Sequence, residues 1–353
     1  MKKIIIVLDS FDYKNNKEKL LDSISDLCEP IFFYTKYENT IIQLFQKAPY
    51  IGGLLTHVTY WILSAIYALK LLLMSKRIDT VVFINPIVGF FYSLIINALP
   101  CNVKIHISGF LFEPKSNKIY YFLRKKLVLI AYRKVTNIIV YGNEEIHYYS
   151  NIFPSLADKF LYVQYGRDYD SISNINFLSD RPYVASGGRS NRDYSTFFQA
   201  MSNVIQKDKG LYSIVATRPE CITSGMNIPL NVRVKYGITL NQFGAFLEKS
   251  LFVVLPLKDI GLSAGHMALF EAMYHKKIII VTDIPSIRNY VDDRHVLFYD
   301  PNDSEDLANK ILYVASNIDS DVLKNLKNDA YTYYQDHYSF KAMLYRIIKQ
   351  ISV

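Results

Sequence analysis

Three segments in the second half of the chain combine small residues with groups that hold anions. The first is Ser186-Gly187-Gly188-Arg189-Ser190-Asn191-Arg192-Asp193-Tyr194. Paired glycines let a ligand approach the backbone closely, and two arginines supply forked donors that match phosphate oxygens. The second is Leu257-Lys258-Asp259-Ile260-Gly261-Leu262-Ser263-Ala264-Gly265-His266-Met267, running into Ala268-Leu269-Phe270-Glu271-Ala272-Met273. Its small residues lead into a helix whose unpaired N–H groups can receive a phosphate. Glu271 follows inside that helix, where a carboxylate can accept hydrogen bonds from vicinal hydroxyls. Thr282-Asp283-Ile284-Pro285 is a third, weaker strand-end turn. Each segment also has a plain reading: a turn with surface arginines, or a helix with one surface charge. Cys28, Cys101 and Cys221 are odd in number and far apart, so they offer neither a disulfide framework nor a metal-ligand pair. No metal is expected.

Such segments work only if strands and helices hold them at one edge of a sheet. Lys3–Leu8, Ile31–Tyr34, Asp79–Ile84, Val103–Ser108 and Asn137–Tyr141 read as short apolar strands, separated by helical stretches at Glu18–Leu27, from Ile51, at Phe90–Ala98 and at Ile119–Arg133. After a short strand at Leu161–Tyr165, the polar stretch Gly166–Asp180 reads as a crossover. Alternation then restarts, with strands at Tyr183–Ser186, Leu211–Ala216, Phe252–Pro256 and Ile278–Thr282 and the stretch His295–Tyr299. Helices are expected at Ser195–Ile205, Leu240–Leu247, Ala264–Tyr274 and Ser304–Ile318, with Val322–Ile351 helical throughout. Apolar strands alternating with helices predict parallel sheets covered on both faces. At 353 residues the chain is long enough for two domains. In such sheets ligands bind outside the carboxyl ends of the strands, where all three segments fall.

The chain is half hydrophobic with a formal charge of +8, which excludes a disordered chain. The charge is uneven, +6 up to Asp170 and +2 beyond. Between Lys70 and Lys134 eleven basic residues face only Asp79 and Glu113. Arg124, Lys125, Lys126, Arg133 and Lys134 lie among Tyr120, Tyr121, Phe122, Leu123, Leu127, Leu129 and Ile130. A basic helix with such neighbours reads as a surface for anionic lipid head groups, or as an ordinary solvated face. No helix-turn-helix, zinc-finger or RNP pattern accompanies the charge, so nucleic acid is not expected. Ile51–Leu69 carries no charge and is near the length that spans a bilayer. Its Gly52, Gly53, Thr56, His57, Thr59 and Ser64 favour a buried or membrane-apposed helix. The opening Met1-Lys2-Lys3 leads into an apolar run too short for a cleavable signal.

Taken together, residues 263–311, SAGHMALFEAMYHKKIIIVTDIPSIRNYVDDRHVLFYDPNDSEDLANKI, resemble the nucleotide-sugar half of glycosyltransferase family 4 and its relatives. GGRSNRDYSTFFQAM (187–201) is similar to the family's Gly-Arg loop and following helix, and YGNEEIHYYSNIFPSLADKFLYVQYGRD (141–168) to the segment closing its first domain. The resemblance implies a GT-B fold: α/β, two Rossmann-like domains with parallel sheets, an interdomain cleft and a C-terminal helix crossing back. It places an acceptor-side domain at 1–168, a nucleotide-sugar domain at 169–330 and the returning helix at 331–353.

It also implies roles. Arg189, aided by Arg192, contacts the donor diphosphate together with the backbone of Gly265, His266 and Met267; Glu271 holds the ribose. His106, near the end of a first-domain strand, faces the reacting sugar or is satisfied inside the sheet. The family's Glu-x7-Glu spacing would put its first glutamate at Ser263, so sugar recognition falls to Ser263, Asp259 or His266. The glycine pair common after the first strand is replaced by VLDSFDYKNN. The implied reaction is glycosyl transfer from a nucleotide-diphosphate sugar to a saccharide or lipid-linked saccharide, retaining and without a cofactor. The expected location is the cytoplasmic side of the membrane, at an anionic surface. A non-catalytic sugar-nucleotide or glycan binder, or a sugar-nucleotide epimerase of the same fold, are the alternative readings.

Overall fold

The computed structural model describes residues 1–9, 17–37, 52–74, 78–100, 102–114, 117–169 and 179–352. They group into two compact units, Met1–Val163 with Leu344–Val353, and Gln164–Met343. The first unit opens with β1 (Lys3–Asp9), whose residues Ile4–Leu8 are all buried, as a central parallel strand requires. It continues through α1 (Lys17–Ile24), β2 (Glu29–Thr35), α2 (Gly52–Met74), β3 (Thr80–Phe83) and α3 (Pro86–Asn97). Then follow β4 (Lys104–Ser108), α4 (Lys118–Ala131), β5 (Asn137–Val140), α5 (Asn143–Ile152) and β6 (Phe160–Tyr162). The sheet is parallel, in the order β2-β1-β3-β4-β5-β6. Its order reverses at β1, and there Asn85, the N-cap of α3, donates to Asp9 Oδ2 at 3.2 Å. Thr35 donates to Asp9 Oδ1 at 2.6 Å, so three strand ends are tied by side chains.

The second unit repeats the plan. Its elements are β7 (Val184–Gly187), α6 (Tyr194–Lys207), β8 (Ser213–Thr217), β9 (Val232–Tyr236), α7 (Leu240–Glu248), β10 (Val253–Leu255) and α8 (His266–Tyr274). β11 (Ile279–Thr282), α9 (Pro285–Arg288), β12 (Leu297–Tyr299), α10 (Ser304–Ser316) and α11 (Asp321–His337) complete it. This sheet is also parallel, ordered β12-β11-β10-β7-β8-β9. The last helix, α12 (Phe340–Ser352), starts in this unit, and from Leu344 its residues group with the first. The fold class is the expected one, α/β with two parallel six-stranded sheets.

Three elements are additions to the expected set: α5, β9 and the one-turn helix α9. α5 is closed by Glu145, whose buried carboxylate accepts the N–H groups of Tyr141 and Gly142 at 3.0 Å each. β9 is an edge strand that exposes Arg233 and Tyr236 and buries Val232. The helical stretch expected over Val322–Ile351 is broken at Tyr338-Ser339. Tyr338 is fully buried and its hydroxyl donates to the Tyr290 carbonyl, while Ser339 Oγ accepts from Ala342 N at 3.2 Å and starts a new helix. Of the expected crossover, residues 170–178 lie outside the described residues, as do Ile51, Cys101, Lys76, Arg77, Lys115 and the stretch 10–16 after β1. Cys28 and Cys221 are free thiols.

Candidate functional site

At the carboxyl end of β7 the chain turns sharply. Gly188 adopts φ +122, a region that L side chains rarely enter, and a Cβ there would sit 2.2 Å from the Arg192 guanidinium. The Gly188 carbonyl accepts two hydroxyls, from Thr217 at 2.7 Å and Tyr194 at 2.8 Å. Asp193 caps α6 by accepting from Thr196 N at 3.2 Å and Thr196 Oγ1 at 2.5 Å. Arg192 is spent on the loop itself, donating from Nε to the Gly187 carbonyl at 2.8 Å and from Nη1 to the Ser190 carbonyl at 2.7 Å. Arg189 is different. Its side chain is exposed and makes no hydrogen bond or ion pair among the described residues.

The neighbouring segment is stitched to this loop. Arg192 and Leu257 form an antiparallel bridge, Lys258 N donates to the Asn191 carbonyl at 2.9 Å, and Asp193 N donates to the Pro256 carbonyl at 3.0 Å. Leu257 in turn packs under Gly265, where an added Cβ would meet its side chain at 2.9 Å. Gly265 is left-handed, φ +87, and is the N-cap of α8. The glycine loop and the start of α8 are therefore neighbours at the carboxyl ends of β7 and β10, and the first turn of α8 carries the N–H groups that a helix leaves without intrahelical acceptors.

His266 does not offer its ring. The imidazole is buried, its Nε2 lies 3.0 Å from the Ser286 carbonyl, and the ring packs 4.2 Å from that of Tyr290. Burial, with Arg192 adding like charge, pushes its pKa down to about 4, so it is neutral at pH 7. Its backbone N–H remains at the helix start. Met267 is exposed, and its carbonyl accepts the Tyr169 hydroxyl at 2.6 Å. Asp259 is exposed and closes its own turn, accepting Gly261 N at 3.3 Å. Ser263 is half-buried.

Glu271 is partly buried on α8, and burial raises its pKa to about 7 against the lowering influence of Arg167. The same carboxylate adds to the burial that pushes the Tyr169 phenol well up. Arg167 and Tyr169 come from the segment entering this unit; Arg167 Nη1 also reaches Met267 Sδ at 3.9 Å, and Tyr334 donates to the Arg167 carbonyl at 2.8 Å. These two residues were not singled out by spacing. Their signal is the Tyr165-Gly166-Arg167-Asp168 run, where Gly166 leaves no room for a Cβ beside the Ser339 carbonyl, 2.4 Å away.

The first unit holds the remaining candidates. His106 is buried in the middle of β4, and neither ring nitrogen has a partner among the described residues. Burial, helped by Lys104, lowers its pKa to about 4. On α4, Arg124 donates to the Glu113 and Leu111 carbonyls at 3.2 Å each and covers the Phe112 ring. Lys134 donates to the Ile96 and Leu99 carbonyls at 3.1 and 2.7 Å, which caps the end of α3. These two charges, expected on the surface, serve the fold; Lys126 and Arg133 are exposed, and Lys125 is half-buried. Among the described residues no three His, Cys, Asp or Glu side chains gather in a way that could hold a metal ion.

Comparison with known proteins agrees with this geometry. The family model described as glycosyl transferases group 1 matches residues 182–317, which carry the glycine loop, α8 and Glu271. No curated protein matches the chain by sequence. Among solved structures, a glycosyltransferase from Rickettsia africae superimposes with a TM-score of 0.61 at 14% identity, over 99% of this chain and 97% of that one. Sucrose-phosphate synthase from Thermosynechococcus elongatus gives 0.61 at 13% identity, over 99% of each chain. The Anabaena HepE protein, solved with UDP, gives 0.59 at 12% identity over the whole of both chains. The shared architecture is GT-B, and residues 182–317 match the group 1 glycosyltransferase model.

Proposed function

We propose that this glycosyltransferase moves a sugar from a nucleoside-diphosphate donor to a hydroxyl of a saccharide, lipid-linked and presented at the inner face of the cell membrane. The observation that carries the donor half is the junction of the glycine loop with the start of α8 through Leu257: that loop carries the free Arg189, and Glu271 lies farther along the helix. In the transition state negative charge grows on the leaving diphosphate. Fixed donors lower the barrier by meeting that charge where it develops. Arg189 and the first N–H groups of α8 are suited to this, and Arg192 holds the loop that presents Arg189. Glu271 would accept the ribose hydroxyls. UDP in the Anabaena neighbour supports a nucleoside-diphosphate product for this fold.

Transfer is proposed to proceed without a metal, since an arginine and a helix start can carry the charge that Mg²⁺ would otherwise meet. Retention of anomeric configuration rests on the family 4 resemblance, a fold-level analogy. His106 is proposed to face the acceptor side as a neutral imidazole. The test is direct: radiolabelled nucleotide sugars are incubated with the protein and extracted bacterial lipids. Label should pass into a lipid-soluble saccharide with release of the nucleoside diphosphate. Binding without any turnover would instead favour a sugar-nucleotide binder, and a released epimeric sugar an epimerase.

A further inference from the structure

In the first unit, helices α2, α3 and α4 lie side by side, and their outward faces are apolar where a water-facing surface should be polar. Along α2 the buried residues Ser64, Ala68 and Leu71 share one side. Val58, Trp61, Ile62, Ile66, Leu69 and Leu73 recur at helical spacing on the other and are exposed, Trp61 by 56% and Leu73 by 71%. α4 shows the same inversion. Val128 and Ala131 are buried, while Ile119, Phe122, Leu123, Leu127 and Ile130 form the exposed stripe, Ile119 by 74%. α3 joins the two into one surface: the Trp61 and Phe91 rings meet edge-on at 6.2 Å, and Asn97 donates to the Ile130 and Ala131 carbonyls at 2.5 and 3.1 Å.

Contiguous exposed apolar area of this extent marks an interaction surface, and its rim says what covers it. Lys70, Lys118 and Lys126 stand exposed on α2 and α4, with Lys126 over the Phe122 ring at 4.6 Å. Lysines at the margin of an apolar stripe suit anionic head groups above acyl chains. Leu55–Met74 is long and apolar enough to cross a membrane, and only 17% of it is buried, unlike a core helix. Yet α2 is anchored at its middle, to the two residues that follow β2. Ser64 Oγ lies 2.8 Å from the Tyr37 hydroxyl, and Tyr67 bonds the backbone of Lys36 through its hydroxyl at 2.7 and 3.0 Å. A helix tied by its side chains to the chain leaving β2 lies in the interface rather than across the bilayer.

We propose that α2, α3 and α4 form a monotopic insertion face that buries the α2 and α4 stripes in an anionic lipid bilayer. The partner is the bilayer, and apolar insertion carries the contact. The basic residues select for anionic lipid. This deepens the membrane-side placement of the proposed function, and it stands on the first unit alone.

Trp61 is the chain's single tryptophan, so its emission reads insertion directly. The full chain is titrated with vesicles of phosphatidylcholine and phosphatidylglycerol in equal parts, and with phosphatidylcholine alone. Trp61 emission should move to shorter wavelength on the mixed vesicles, be quenched by lipids brominated on the acyl chain, and persist in high salt. Binding to phosphatidylcholine alone should be weaker by at least ~10-fold, the effect of losing a few lysine–lipid attractions. Ile62→Glu with Leu69→Glu, both at exposed positions, should abolish the shift while leaving the circular dichroism and the stabilisation by nucleoside diphosphate intact. That last readout separates this proposal from the donor site. Unchanged Trp61 emission, or vesicle binding that disappears in salt with Trp61 still quenched from water, would overturn insertion. A purified dimer with Trp61 shielded at its interface and no vesicle binding would assign the face to a second copy instead.

Discussion

Arg192 donates from Nε to the carbonyl of Gly187, 2.8 Å away, and so closes the loop that leaves Arg189 standing free. Two arginines three positions apart thus have different work. Arg192→Ala removes two charge-assisted bonds and should cost roughly 2–4 kcal/mol of stability, read by urea unfolding, with loss of donor binding as a consequence. Arg189→Ala should leave stability within about 0.5 kcal/mol and lower turnover by at least ~10²-fold, as when one oxyanion donor is removed. Equal effects of both substitutions on unfolding would contradict this division.

Gly188 is the second fixed point of the loop. At φ +122 and against the Arg192 guanidinium, Gly188→Ala is strained by both backbone and space. We expect a loss of about 2 kcal/mol or more together with weaker nucleoside-diphosphate binding, measured by thermal unfolding with and without ligand. A fully stable variant would show that the loop relaxes without cost.

Glu271 couples function to stability. Its pKa is raised from 4.5 to about 7, so the folded protein holds a proton that the unfolded chain has lost between those values. Stability therefore falls as pH rises from 4.5 through 7 and is flat above. Glu271→Gln should raise stability at pH 8 by up to about 3 kcal/mol, gain little at pH 4.5, and weaken donor binding. For the wild type, donor affinity should rise as pH passes 7 and the carboxylate becomes available to ribose hydroxyls. Calorimetric titration at pH 6 and pH 8 checks the sign.

His106 acts in the opposite sense. Its pKa falls from 6.5 to about 4, so its contribution is present above pH 6.5 and is lost as pH falls toward 4, up to about 3 kcal/mol. His106→Leu should remove that share of the acid sensitivity and also two buried nitrogens without partners. If the imidazole serves the acceptor, the same variant should keep nucleoside-diphosphate binding and lose transfer. Retained transfer would leave His106 a core residue.

Much of the fold was legible because it rests on short apolar runs. Ile4–Leu8, Val81–Phe83 and Ile279–Val281 are buried strands and read as such. β9 was missed although Val232-Arg233-Val234-Lys235-Tyr236 alternates with period two; an edge strand is half polar and resembles a loop. α5 was missed because Asn143-Glu144-Glu145 is polar, and its start depends on Glu145 reaching back to two N–H groups. The glycine loop and the start of α8, read from the sequence as separate segments, are neighbours in the fold, but type and spacing could not say which arginine is spent on carbonyls. The same limit applied to Arg124 and Lys134. On α4 the pattern of charges was plain, whereas the outward turn of Ile119, Phe122 and Ile130 depends on which side packs against α3.

The measurement closest to the central claim is titration of the folded protein with a panel of nucleoside diphosphates, followed by melting temperature, for the wild type, Arg189→Ala and Glu271→Gln. A ligand that binds the native state alone raises the melting temperature by mass action. At least one nucleoside diphosphate should stabilise the wild type, and each substitution should weaken that binding by ~10-fold or more, equivalent to about 1.4 kcal/mol. Stabilisation by no member of the panel, or binding indifferent to both substitutions, would contradict the account.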